Sequence, residues 1–131
     1  MHTGVLNYFD GAENCFISAY RKHADQSSFE VEIEYLSSPS IEGKTLILCD
    51  PMLATGSSMV LAYKAALEKG TPSKVHVVSA VASKEGMDFC KENLPSSVDY
   101  WIGAIDEKLN AKAYIVPGLG DAGDLAYGTK I

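Results

Sequence analysis

The chain has 131 residues, enough for one domain with a sizeable core. Its 47% hydrophobic and 21% charged residues are an ordinary globular balance, and no apolar run is long enough to span a bilayer. A net charge of −6 and a pI near 4.9, with no Lys/Arg cluster, exclude a basic nucleic-acid-binding surface.

In chain order, residues from about Thr3 to Asn14 read as a short helix and Cys15–Tyr20 as a strand. Glu30–Leu36 alternates charged and apolar side chains, which predicts a half-exposed strand in a hairpin excursion near residues 22–40. Ser37–Ser40, with Pro39, is a loop. Leu46–Asp50 reads as a buried strand and Ser57–Lys69 as a helix, closed by Gly70 with Pro72 beyond. Val75–Val81 is a second buried strand, Lys84–Asn93 a helix, Val98–Ile102 a strand, and Tyr114–Val116 a short strand before Pro117. This alternation predicts an α/β fold, a mostly parallel sheet flanked by helices, in a single domain over residues 1–131. The three cysteines, Cys15, Cys49 and Cys90, have no metal-ligand spacing; buried free thiols are expected at Cys15 and Cys49. No leader pattern is seen, and a reducing cytoplasm fits the whole.

Two segments carry chemistry. In Leu46–Ser58 an apolar strand ends in Asp50, breaks into small and hydroxyl residues, and leads into a helix. A helix N-terminus after a strand presents unpaired N–H groups and the positive end of the helix dipole to an anion. Asp50 suits sugar hydroxyls or a hydrated metal, while Thr55, Ser57 and Ser58 can donate to phosphate oxygens. An ordinary strand-to-helix turn with a Thr or Ser cap has the same pattern. No Gly-Lys-Ser/Thr follows, so the segment is not a P-loop, and Gly56 is its one glycine, so it is not a dinucleotide fingerprint. The second segment, Tyr114–Asp124, holds Gly118, Gly120 and Gly123 among Pro117, Asp121 and Asp124. A plain turn would account for it. Its backbone could equally approach a planar base and read it with main-chain groups. Both segments are expected beyond the carboxyl ends of sheet strands, where open α/β sheets bind ligands.

Together, Asp50-Pro51-Met52-Leu53-Ala54-Thr55-Gly56 and Tyr114-Ile115-Val116-Pro117-Gly118-Leu119-Gly120-Asp121-Ala122-Gly123-Asp124 closely resemble the bacterial uracil phosphoribosyltransferases. Tyr20-Arg21 and Ile105-Asp106 agree with the resemblance, which covers essentially the whole chain. It implies a type I phosphoribosyltransferase fold that joins uracil to phosphoribosyl pyrophosphate (PRPP), giving UMP and pyrophosphate. It assigns Asp50, Pro51, Met52, Leu53, Ala54, Thr55, Gly56, Ser57 and Ser58 to the ribose and 5-phosphate of PRPP, with Arg21 reaching in from a neighbouring strand. Ile115, Gly120, Asp121 and Ala122 would bind uracil, and Asp121, also a PRPP contact and the catalytic residue, would sit by the reacting centre on the PRPP side. It implies Mg²⁺ carried mainly on the pyrophosphate, with no protein metal cage, and a homodimer acting on uracil and PRPP, with no nucleic-acid or membrane partner. Ser57 stands where the family often has a second glycine, and Leu125 where relatives often carry a polar or basic residue. Family members run to roughly 200 residues or more, so the match is expected to be to their C-terminal part, without the N-terminal portion and its pyrophosphate-gripping arginine. A catalytically impaired form, or a non-catalytic module that binds UMP or uracil, is the alternative reading.

Overall fold

A computed structural model describes residues 1–25 and 28–128, with the backbone alone described at 20–25 and 28–32. Helix α1 spans His2–Tyr8 and ends earlier than the pattern to Asn14 suggested. None of its residues is buried, so no packing extends it past the first two turns. Strands β1 (Phe16–Asp25) and β2 (Ser28–Ser37) form an antiparallel hairpin, with Phe16 opposite Ser37 and Ile17 opposite Leu36. The expected hairpin is present, and it begins earlier, at Phe16.

The centre is a βαβαβ unit: β3 (Thr45–Leu53), α2 (Ser57–Ala66, followed by a 3₁₀ turn at Leu67–Lys69), β4 (Lys74–Ser83), α3 (Lys84–Asn93) and β5 (Asp99–Asp106). The three strands are parallel in the order β3-β4-β5, with Leu48 opposite Val77 and Val77 opposite Tyr100. The α/β expectation holds. A short antiparallel pair follows, β6 (Lys108–Leu109) with β7 (Ile115–Val116), and then α4 (Ala122–Tyr127).

Period-two burial explains the layering. On one face, Leu46, Leu48, Val75, Val77 and Val98 join Met59, Val60 and Ala66 of α2 and Met87 and Cys90 of α3 in one apolar cluster. Fully burying each of the larger side chains is worth about 1.5–3 kcal/mol. The alternate positions have no such cover among the described residues: Trp101 is 61% exposed and Ile105 56%. On that face the Trp101 indole Nε1–H donates to His76 Nδ1 at 3.1 Å. Parallel sheets are ordinarily covered on both faces, so this one-sided layering stands out.

The thiols differ from expectation. Cys90, in α3, is the buried one, whereas Cys15 and Cys49 are half-buried; all three are free. Cys15 precedes β1, and Cys49 points away from the helix-covered face, so neither joins the core cluster.

Candidate phosphoribosyl site

Strand β3 does not end at Asp50. It continues to Leu53, with Asp50 opposite Ser79 and Met52 opposite Val81. Pro51 is exposed and takes no place in this register, as befits a residue that lacks an N–H on an edge strand. The loop is therefore only Ala54–Gly56, and Ser57 and Ser58 are the first turn of α2.

Gly56 caps that helix in the left-handed region, at φ +78°, without a side-chain cap. This departs from the Thr or Ser cap of an ordinary turn. Any Cβ at Gly56 would lie 2.7 Å from the Gly86 carbonyl oxygen and 2.9 Å from Cys90 Sγ, so the position needs glycine for both conformation and space. Thr55 Oγ1 donates to Ser57 Oγ at 3.2 Å and accepts from the Ser57 amide at 3.4 Å. Three hydroxyls, Thr55, Ser57 and Ser58, thus gather at the positive end of α2.

Asp50 stands half-buried below this loop, its Oδ1 accepting from the Met52 amide at 2.9 Å. Desolvation pushes its carboxyl above the usual carboxylate range, and the Met52 hydrogen bond offsets part of that. It raises Cys90 in turn: burial, with the Asp50 charge second, pushes that thiol to about 11. A hollow of about 40 Å³ is lined by Asp50, Met52, Leu53, Ala54, Thr55, Gly56, Ser58 and Met59. It has the size of a single water or phosphate oxygen and gathers the residues of the first motif except Pro51 and Ser57. A larger space of about 640 Å³ opens between β1 and β3, but Ile17, Leu46, Leu48, Met59 and Ala62 give it an apolar lining that suits no polyanion.

Sequence reasoning missed the floor of the loop. Ser83, fully buried at the start of α3, donates from Oγ to the Ala54 carbonyl at 2.5 Å and accepts from the Gly86 amide at 2.8 Å. Gly86 lies so close to the Ala54 carbonyl that a Cβ there would overlap it. Cys90 Sγ lies 3.7 Å from the Gly56 carbonyl oxygen. The usable signal was Ser83-Lys84-Glu85-Gly86 opening a helix after a buried strand, a side-chain N-cap pattern.

The C-terminal segment is part loop and part helix. Gly118 (φ +48°) and Gly120 (φ +84°) have the positive dihedrals expected of a glycine loop, but Gly123 lies inside α4. The Gly118 amide donates to Asp106 Oδ2 at 2.9 Å, which ties the loop to the carboxyl end of β5. Asp121 is the N-cap of α4, its Oδ1 accepting from the Asp124 amide at 2.8 Å. Ile115 is buried in β7, Ala122 is half-buried, and Gly120 is exposed with open space around it. These residues line neither the small hollow nor the apolar space. Each segment does leave a strand end, Leu53 of β3 or Val116 of β7, and the second is moored at the end of β5. Arg21 is on β1, and its side chain lies outside the described residues. Among the described residues, no group of three or more His, Cys, Asp or Glu side chains converges to hold a metal.

The family model for uracil phosphoribosyltransferase matches residues 1–129. The chain belongs to the uracil phosphoribosyltransferase family. It is 55% identical over 130 residues to the uracil phosphoribosyltransferase of Porphyromonas gingivalis, covering 99% of the chain and 60% of that relative. The uracil phosphoribosyltransferase of Methanothermobacter thermautotrophicus is 39% identical over 125 residues, 95% of the chain and 56% of that relative. A solved protein structure from Aquifex aeolicus superposes with a TM-score of 0.89 at 35% identity, covering all of this chain and 61% of that one. The chain thus spans about three fifths of the length of these relatives and of that structure, matching the C-terminal part of the relatives.

Proposed function

We propose that this chain carries the ribose-phosphate and uracil portions of a uracil phosphoribosyltransferase site, in a single phosphoribosyltransferase-like domain that works in pyrimidine salvage. The observation that carries the reading is the Ala54–Gly56 loop, with Asp50 beneath it and three hydroxyls at the positive end of α2. Family membership supplies the substrate class.

In this reading the 5-phosphate lies on the amides and hydroxyls of Thr55, Ser57 and Ser58, with Met52, Leu53, Ala54 and Gly56 forming the wall and Pro51 exposed beside it. Asp50 accepts from ribose hydroxyls, and its raised carboxyl gains from exchanging a dry setting for those donors. Arg21 adds a positive charge from β1. Uracil is read by the backbone of Ile115, Gly120 and Ala122, whose donor and acceptor groups fit its O4–N3–O2 edge and oppose the amino group of cytosine. Asp121 faces the carbon from which pyrophosphate departs and stabilises the positive charge that develops there. Its place as the cap of α4 fixes its position before substrate arrives. Asp50 is the one carboxylate lining the hollow, and no group of three or more candidate ligands converges among the described residues, so a magnesium ion would be held mainly by the pyrophosphate of PRPP, where it would neutralise charge. A homodimer in the cytoplasm completes the proposal; no helix among the described residues is long and apolar enough to cross a membrane.

The test is to incubate the purified chain with labelled uracil and PRPP and to measure UMP, with UMP binding measured separately by calorimetry. UMP formation supports the full reading. Binding without turnover would confine it to recognition, and neither at about millimolar ligand would overturn it.

A further inference from the structure

We infer that Ser83 is a positioning residue for the phosphate loop, acting through the Ala54–Thr55 peptide; this rests on the reading of that loop as a 5-phosphate site. In a planar trans peptide, the carbonyl of one residue and the N–H of the next point in opposite directions. Ser83 Oγ–H holds the Ala54 carbonyl at 2.5 Å, on the α3 side of the loop. The Thr55 N–H is thereby turned away from α3.

The hydroxyl of Ser83 is committed in both directions. It accepts from the Gly86 amide at 2.8 Å, so its proton is directed to Ala54 and not to its own helix. The residue is 0% exposed, which leaves no water to replace the bond. Gly86 supplies the space: without a Cβ, the first turn of α3 lets the Ala54 carbonyl descend onto it. Cys90 stands below the Gly56 carbonyl one turn further on. Two alternate carbonyls of the loop, those of Ala54 and Gly56, are therefore both met by side chains of α3 or its cap, the second while also accepting from the Val60 amide of α2. The amides that follow them, those of Thr55 and Ser57, are left on the opposite side. A loop held this way is set for an anion before the anion arrives.

Calorimetry with UMP and with uridine, on the wild-type chain and on Ser83→Ala, tests the role, with thermal melts run beside it. The expected result is a loss of UMP affinity of about tenfold, the size of one buried hydrogen bond, with uridine affinity unchanged. A merely structural role would move both ligands together. Equal UMP affinity in the two proteins, or a parallel loss for uridine, would overturn the inference. Absence of UMP binding by the wild-type chain would overturn the site reading and this role with it. Should Ser83→Ala fail to fold, amide NMR of the wild type decides the matter: titration with inorganic phosphate should shift the Thr55 amide among the largest changes. A Thr55 resonance that stays in place would refute the positioning.

Discussion

The loop after β3 and the loop after β7 solve the same problem in opposite ways. The first is short and lies on a solid floor: Gly56 touches Gly86 and Cys90, and Ser83 holds the Ala54 carbonyl from below. The second is longer and open, fastened by Asp106 at Gly118 and by Asp121 at the start of α4, with open space for a Cβ at Gly120 among the described residues. A phosphate is recognised by several donors converging on one point, which rewards a rigid cradle. A flat base edge is read by a stretch of backbone that must approach closely, which rewards small residues and open space. In the proposed reading, the first loop is preformed in the free protein and the second is ordered further by its ligand.

Matched substitutions break or sharpen this contrast. Gly56→Ala carries the largest expected effect, because it adds a Cβ against the Gly86 carbonyl at a positive φ; a loss of about 3 kcal/mol of stability is expected in denaturant melts. Gly120→Ala shares the positive φ but meets open space, so about 1 kcal/mol is expected. Equal costs at the two sites would remove the distinction between a packed loop and an open one.

Asp50→Asn probes the burial beneath the first loop. The folded pKa of Asp50 lies above its ordinary value of 3.8, so the protonated acid favours the fold. That contribution is fully present below the unfolded pKa and is lost as pH rises through the folded pKa. At pH 7 the charged carboxylate is therefore a cost, which asparagine removes while still able to accept from the Met52 amide. The variant should melt a few degrees higher than wild type at pH 7, with the gap closing in acid, and should bind UMP more weakly. A lower melting temperature at pH 7 would contradict the desolvated placement.

Tyr100→Phe is the smallest effect. The Tyr100 hydroxyl is buried without a hydrogen-bond partner among the described residues, and burial, with Cys90 second, pushes it up to about 12. Its removal should change stability by less than about 0.5 kcal/mol. A loss above that would mean that the floor beneath the first loop uses this hydroxyl.

Much of the architecture was legible because helix and strand periods were unambiguous where one face is buried. Lys84–Asn93 was placed to the residue, since Ser83 caps it and Leu94 follows in extended conformation. The end of β3 was misplaced because the residues after Asp50 read as a loop of small and hydroxyl residues; at a sheet edge, where a missing N–H is not required, the strand runs on through Pro51 to Leu53. Helix α4 was hidden by glycine and aspartate, which mark turns in general but here supply a loop and then a cap. The residues of the first motif were recognisable as a group, and Asp50, Thr55, Gly56 and Ser58 do share one hollow. Ser83, Gly86 and Cys90 could not be assigned to it, because their role depends on how closely α3 approaches a loop 29 residues or more upstream. Pairing across that separation is tertiary information that no local pattern carries.

The most direct test of the central claim is a crystal structure of this chain with UMP. The 5′-phosphate is expected on the amides and hydroxyls of Thr55, Ser57 and Ser58, Asp50 at the ribose, and the base along Ile115–Ala122. A phosphate bound away from the N-terminus of α2, or a base that does not touch the C-terminal loop, would contradict it.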